Sequence, residues 1–268
     1  MIRVEFYKQV FRLRTSILLG IIVAFPVLLT LVFRIVNPSL PEHGQEQSFI
    51  RLAPSSGLNM AIASLGHAGD LFLPIVGAIL AGSVVAEEAG WGTLGYLLVR
   101  PVTRPRLLAS KLLVVTLLLI AAAATATLVA VLAGLLAFGW EPVQTLSGTS
   151  LPSGVALARI AIATPYIAWS LAGVVSFGFL LSSLSNSPLY AAAGAFGLVV
   201  LSRILDSVPA TGVWLSFLPT HYWRAWEGLF SNNMDWGDML AGSLLQLPYV
   251  IVFLGMAWWQ FRRKDIVT

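Results

Sequence analysis

Residues 87–111 read EEAGWGTLGYLLVRPVTRPRLLASK, and the organisation of the whole chain follows from them. Two carboxylates, Glu87 and Glu88, open the stretch. Gly90, Gly92 and Gly95 leave the backbone permissive after them. Thr93 to Val99 then has room for two helical turns, with Leu94, Leu97 and Leu98 on one side, the spacing of a surface-lying helix. Pro101 disfavours helical geometry at Arg100 and ends that element. Thr103 is placed as an N-cap, with Pro105 in the first turn of the next helix. The basic residues Arg100, Arg104, Arg106 and Lys111 complete the stretch, and long apolar runs flank it on both sides.

Those flanks set the class. Of the 268 residues 57% are hydrophobic and only 10% charged, and the mean hydropathy is +0.85. Soluble domains carry about 25% charged residues, so the chain reads as an integral membrane protein. A helix needs about 20 apolar residues to cross a bilayer, and six such windows occur: near Ile17 to Val36, Leu71 to Ala86, Leu112 to Phe138, Ala156 to Leu181, Leu189 to Ile204 and Met239 to Phe261. Run length and the lack of period-two alternation favour helices over strands. The prediction is an all-α membrane protein forming one domain over residues 1–268, with external segments at 37–70 and 208–238.

Charge gives the orientation. With both termini in the cytoplasm, 11 of the 16 basic residues lie inside, leaving Arg34, Arg51, Arg159, Arg203 and Arg224 outside, while four of the 12 acidic residues lie inside and eight outside. The positive-inside rule favours this arrangement. The basic pI is explained by anionic lipid heads without nucleic acid. Without cysteine there is no disulfide or thiolate metal site. The N-terminus does not read as a cleavable signal, because the first span starts too late, runs too long and lacks a small-residue cleavage pattern.

Met1 to Arg14 reads as an amphipathic interfacial helix, with Ile2, Phe6, Val10, Leu13 and Ile17 on one face; the alternative is a frayed start of the first span. His67 and Asp70 can share a helix face, most simply as a solvated hydrogen-bonded pair. Thr164-Pro165 predicts a kink in the fourth span, followed by Tyr166 and Trp169. The segment FLPTHYWRAWEGLF, residues 217–230, carries Pro219, Tyr222, Trp223 and Trp226 at near-helical spacing, either as an interfacial anchor or as part of a gate. Arg34, Arg159 and Arg203 read as snorkelling cations, and Asp206 is placed to pair with Arg203.

The acidic residue at the end of the second span, then GTL, an apolar pair, R-P-V-T-R, L-L and Lys111, resembles the membrane subunit of type-2 ABC exporters. The N-terminal helix, six spans and cytoplasmic termini are similar too, so the resemblance covers nearly the whole chain. It implies that residues 87–111 form the cytoplasmic coupling loop that docks on an ATPase. Glu87 and Glu88 would face that partner, Thr93 to Val99 would be the docked helix, and Arg100, Arg104 and Arg106 would lie at the lipid or ATPase surface. It further implies a partly re-entrant external segment between spans five and six that lines a gate. A second permease subunit, identical or not, and two ATPase subunits carrying ATP and Mg would complete the assembly. Small-residue pairs Ala78/Gly82 and Ala193/Gly197 are the expected subunit interface.

Absences agree with this. There is no G-x-x-x-x-G-K-[ST] phosphate loop, so the chain is expected not to be an enzyme and to draw its energy from a partner. No H-E-x-x-H or G-x-S-x-G occurs, and no carboxylate is expected mid-span to serve an ion-coupled relay. The expected function is export of a hydrophobic or amphipathic substrate across the cell inner membrane. The alternative is an ATPase-coupled transducer or scaffold that acts on a partner protein without transport.

Overall fold

The computed structural model describes residues 2–36, 48–91, 104–208, 213–231, 234 and 236–263. It is almost entirely helical, and six of its helical segments are long and apolar enough to cross a membrane. An N-terminal helix α1 (Ile2–Val10) precedes the first of these, α2 (Leu13–Val36). A short α3 (Phe49–Leu52) leads to the second, which runs as α4 (Gly57–His67), a single π turn (Ala68–Phe72) and α5 (Leu73–Ser83). A brief α6 (Ala86–Gly90) follows. The third is α7 (Arg104–Phe138) and the fourth is α8 (Ser153–Ser170) continued by α9 (Ala172–Leu184). The fifth and sixth are α10 (Pro188–Ser207) and α11 (Gly237–Arg263). The chain is a multi-pass, all-α membrane protein apart from one small hairpin, in which Val143–Gln144 (β1) pairs antiparallel with Ser150–Leu151 (β2).

Expected and observed spans coincide except for the second. The reading began it at Leu71 and counted residues up to Asp70 as external. The helix starts at Gly57 instead, where the Ser56 side chain accepts from the Asn59 backbone N–H as an N-cap. Residues 58–65, counted within the external segment 37–70, are part of the span. Polar Asn59 hid this: its side chain donates to the Gln144 carbonyl and accepts from the Gln144 N–H, so it pairs with β1 as a strand would.

The second and fourth segments form the centre of the bundle, with 61% and 67% of their apolar windows buried, against 22%, 22% and 17% for the first, fifth and sixth. Close backbone approach makes this possible. A Cβ at Gly82 would lie 2.5 Å from the Ala192 nitrogen, so α5 and α10 meet at a position only glycine can fill. The helix α7 has 35 residues, about 52 Å at 1.5 Å per residue. That exceeds the roughly 30 Å hydrocarbon core, so its basic first turns extend beyond the apolar layer.

α1 is a separate helix that stops at Val10 and is not a frayed start of α2. Its apolar side chains Val4, Phe6 and Tyr7 are exposed, while Gln9 is buried.

Candidate functional site

Two clusters of polar side chains connect the helices, one at each end of the bundle's centre.

The first lies where α1, α2, α6 and α7 meet. Lys111 Nζ is 2.8 Å from both Glu5 Oε1 and Glu88 Oε2, and Lys8 Nζ is 2.5 Å from Glu88 Oε1. Glu87 pairs with Arg12 and, at 2.7 Å, with Arg14. Glu88 and Lys111 are each 1% exposed. Burial alone would raise the Glu88 carboxyl, but the ammonium groups of Lys111 and Lys8 outweigh it together and hold it below its ordinary 4.5. Ser182 Oγ accepts from the backbone N–H groups of Val85 and Ala86, which ties the start of α6 to α9. The expectation that Glu87 and Glu88 face a partner is therefore corrected: both are engaged by this chain's own cations. Thr93, Leu94, Leu97, Leu98 and Arg100 lie outside the described residues, and of Arg104 only the backbone, which starts α7, is described.

The second cluster holds the segment between α10 and α11. Residues 213–217 and 225–230 form short 3₁₀ turns joined by further turns, a backbone that leaves carbonyls without helical partners. Side chains from the fourth and sixth spans donate to them. Tyr166 Oη reaches the Tyr222 carbonyl at 2.6 Å and Tyr249 Oη the Phe217 carbonyl at 2.5 Å. Gln246 Nε2 donates to the Pro219 carbonyl at 3.0 Å. Arg159, buried, donates to the carbonyls of Leu229 at 2.5 Å and Ser231 at 3.1 Å. Irregular backbone at membrane depth persists only where protein satisfies it in this way. Trp223, Trp226, Leu229 and Phe230 are all buried, so the segment is a plug packed into the bundle. Arg159 does not snorkel; it is spent on the plug.

The plug also engages a break in the fourth span. α8 ends at Ser170 and α9 starts at Ala172, leaving Leu171 between them. Trp223 Nε1 donates to the Ser170 carbonyl at 2.9 Å, and the Gly173 N–H donates to Gln246 Oε1 at 3.0 Å. The break falls six residues after Pro165, which sits inside α8, rather than at the proline itself. Gln246 thus bridges the plug, the break and α11.

Asp70 sits midway along Gly57–Ser83, in the π turn. It pairs with Arg203 of α10 and, at 2.5 Å, with Arg224 of the plug. This corrects three expectations. A carboxylate does stand mid-span, bound to two guanidinium groups. His67 is engaged with the Ala63 carbonyl and not with Asp70. Asp206 pairs with His221 at 2.6 Å and not with Arg203. Glu227, beside Arg224, is pushed above its ordinary 4.5 by burial, with Arg224 opposing and Asp70 adding to the shift.

Of the remaining expected residues, Trp169 donates to the Ser243 carbonyl and lines a cavity of about 300 Å³ between α7, the fourth span and α11. Its wall is apolar, with Thr116 and Ser176 as the hydroxyls. Ala78 and Gly82 are buried, Gly82 directly against α10, so they are not available to a second subunit, whereas Ala193 and Gly197 lie on the exposed face of α10.

Sequence reasoning missed Gln246, Asn59 and Ser182. The usable signal was the isolated amide between Leu245 and Leu247 in an otherwise apolar span, since polar side chains within a bundle serve as interhelical bonds.

Two curated relatives are both described as uncharacterised, the first of them as a membrane protein. The membrane protein YdbK of Bacillus subtilis strain 168 is 27% identical over 206 residues, covering 74% of this chain and 79% of YdbK. YhcI of the same strain is 27% identical over 199 residues, covering 71% of this chain and 63% of YhcI. A family model described as "Protein of unknown function (DUF2705)" matches residues 46–267. That match takes in all but the first of the six apolar segments and the second cluster, while α1 and α2 of the first cluster lie before it, and the chain belongs to this family.

Proposed function

We propose that this chain is the membrane subunit of an ATP-driven exporter of the type-2 ABC class, set in the cell inner membrane with both termini in the cytoplasm. It works with a second membrane subunit and two ATPase subunits that carry ATP and Mg. The observation that carries the reading is the buried ionic cluster around Lys111 and Glu88. Residues 92–103 leave the described structure at Trp91 and re-enter it at Arg104, and both points adjoin this cluster. Force applied by an ATPase to that stretch passes at once to α1, α2, the second span and α7. In this reading α1 lies at the membrane interface, with its charged side turned to the protein and its apolar side to lipid.

The second and fourth spans form the centre, so their relative shift moves the break at Leu171. Through Trp223 and Gln246 that movement reaches the plug, which acts as the external gate. The apolar cavity beside Trp169 suits a hydrophobic or amphipathic substrate. The open face of α10 around Ala193 and Gly197 is the side for a second subunit.

The docking role rests on Thr93, Leu94, Leu97 and Leu98, as the resemblance implies, without Glu87 and Glu88. Its test is co-purification from native membranes: Leu94→Asp with Leu97→Asp should still insert yet lose a phosphate-loop ATPase that the unaltered chain retains. Equal retention by both chains sinks the docking assignment.

A further inference from the structure

The faces of α2 and α7 that meet at one end of the bundle leave a groove of about 480 Å³ between them. Val27, Leu31 and Arg34 line it from α2, at steps of four and three residues; Leu132, Ala133 and Leu136 line it from α7 at the same helical spacing. Leu31, Leu132 and Leu136 are exposed. Thr30 adds no polarity, because its hydroxyl is turned onto the Pro26 carbonyl at 2.7 Å. The single charge is Arg34, in the last turn of α2, which donates one N–H to the Ala137 carbonyl near the end of α7. A guanidinium has five N–H donors in a planar fork, so this contact leaves an exposed cation with donors to spare at the mouth of an apolar trough.

Length fixes the scale. From Val27 to Arg34 the groove follows α2 for about 10 Å at 1.5 Å per residue. Half of a roughly 30 Å hydrocarbon core is about 15 Å. The trough therefore covers about two thirds of one leaflet's depth, with its charge at the end of α2 and its apolar floor toward the middle of that span.

We propose that this groove binds one phospholipid of net negative headgroup, with an acyl chain between α2 and α7 and the phosphate on Arg34. Charge complementarity selects this occupant. An uncharged alkyl chain would fill the trough but leave the guanidinium without an anion, and a free phosphate would leave the trough empty. Arginine recognises phosphate by paired N–H bonds to two oxygens, and only a molecule with both parts satisfies both ends. The inference uses spans one and three alone and does not depend on the exporter reading.

Native mass spectrometry of the purified full chain, titrated with phosphatidylglycerol and with phosphatidylcholine of the same acyl length, tests it. The unaltered chain should retain phosphatidylglycerol about tenfold more tightly than phosphatidylcholine, because both offer Arg34 a phosphate but the choline ammonium is repelled by the guanidinium. Arg34→Gln keeps an amide for the Ala137 carbonyl but removes the charge, and should erase that preference. Arg34→Lys should keep most of it, and serves in place of the glutamine variant should that one fail to fold. Ala133→Phe fills the trough and should weaken both lipids while leaving Arg34 intact. Undiminished phosphatidylglycerol preference in Arg34→Gln, or unchanged binding of both lipids in Ala133→Phe, overturns the proposal. Loss of a dimer in Ala133→Phe without any change in lipid overturns it too, and makes the groove a contact between copies.

Discussion

Lys111 Nζ lies 2.8 Å from Glu88 Oε2, and neither side chain retains more than a trace of solvent exposure. A buried pair of this kind is weak evidence for stability as such, because desolvation offsets much of the attraction. Breaking it is another matter. Lys111→Met leaves Glu5 and Glu88 short of a cation and should destabilise the protein by about 3 kcal/mol, the lower end for an uncompensated buried charge, since Lys8 still serves Glu88. The double change Glu88→Gln with Lys111→Met should recover a good part of that loss. Thermal unfolding in detergent reads both.

The same pairing predicts a pH dependence. Glu88 is held below its ordinary 4.5 in the folded protein, so its contribution is fully present above that value and is lost as pH falls through the depressed one. Protease access to Arg3 and Lys8 in α1 should therefore be unchanged from neutrality down to about 4.5 and rise only in stronger acid. Release of α1 at neutral pH contradicts the assignment.

Much of this architecture was legible in the sequence, and the misses have physical causes. Span boundaries followed from apolar run length. The second span was cut short because Asn59, His67 and Asp70 look external one at a time. Two of them are satisfied by partners far along the chain, Gln144 for Asn59 and Arg203 with Arg224 for Asp70, while His67 bonds the Ala63 carbonyl one turn back. No local pattern reports such pairing. Glu87 and Glu88 were read as outward-facing for the same reason, since Lys8, Arg12 and Arg14 lie far before them in sequence and Lys111 lies beyond the intervening loop. The small pairs were right in kind but not in use: Gly82 serves packing within the chain, and Ala193 and Gly197 remain open.

The plug offers a sharper test. Tyr166→Phe removes one of two donors to the Tyr222 carbonyl, which keeps the Ala225 N–H, and should cost about 0.5–1.5 kcal/mol. Gln246→Leu strips partners from the Pro219 carbonyl and the Gly173 N–H together and should cost more. Unfolding midpoints, followed by tryptophan fluorescence from Trp223 and Trp226, distinguish the two. Equal effects would remove Gln246 from its bridging role.

Glu227 behaves oppositely to Glu88. Its carboxyl is raised in the folded state, so ionisation costs stability as pH climbs from its unfolded value through the folded one. Glu227→Gln should unfold at least as high as the unaltered protein at neutral pH, and the gap should close below about 4.5, where both side chains are uncharged. Asp70→Asn should instead destabilise at neutral pH, by about 1–3 kcal/mol given the partial exposure of Arg203 and Arg224.

A side chain at position 82 has no room, with a Cβ only 2.5 Å from the Ala192 nitrogen. Gly82→Val should force α5 and α10 apart and cost at least the 1–3 kcal/mol of an overpacked core, whereas Gly197→Val, with nothing within 4 Å, should leave the monomer's unfolding unchanged.

The central claim is that an external ATPase drives this chain through residues 92–103. The direct measurement is ATP hydrolysis by the purified complex in liposomes, with the unaltered chain and with Leu94→Asp/Leu97→Asp. The account predicts that hydrolysis accompanies the unaltered chain, rises with a hydrophobic or amphipathic substrate, and is lost or becomes insensitive to substrate in the variant. A chain that reconstitutes without any ATP-hydrolysing partner, or a variant whose substrate-stimulated hydrolysis equals that of the unaltered chain, would contradict it.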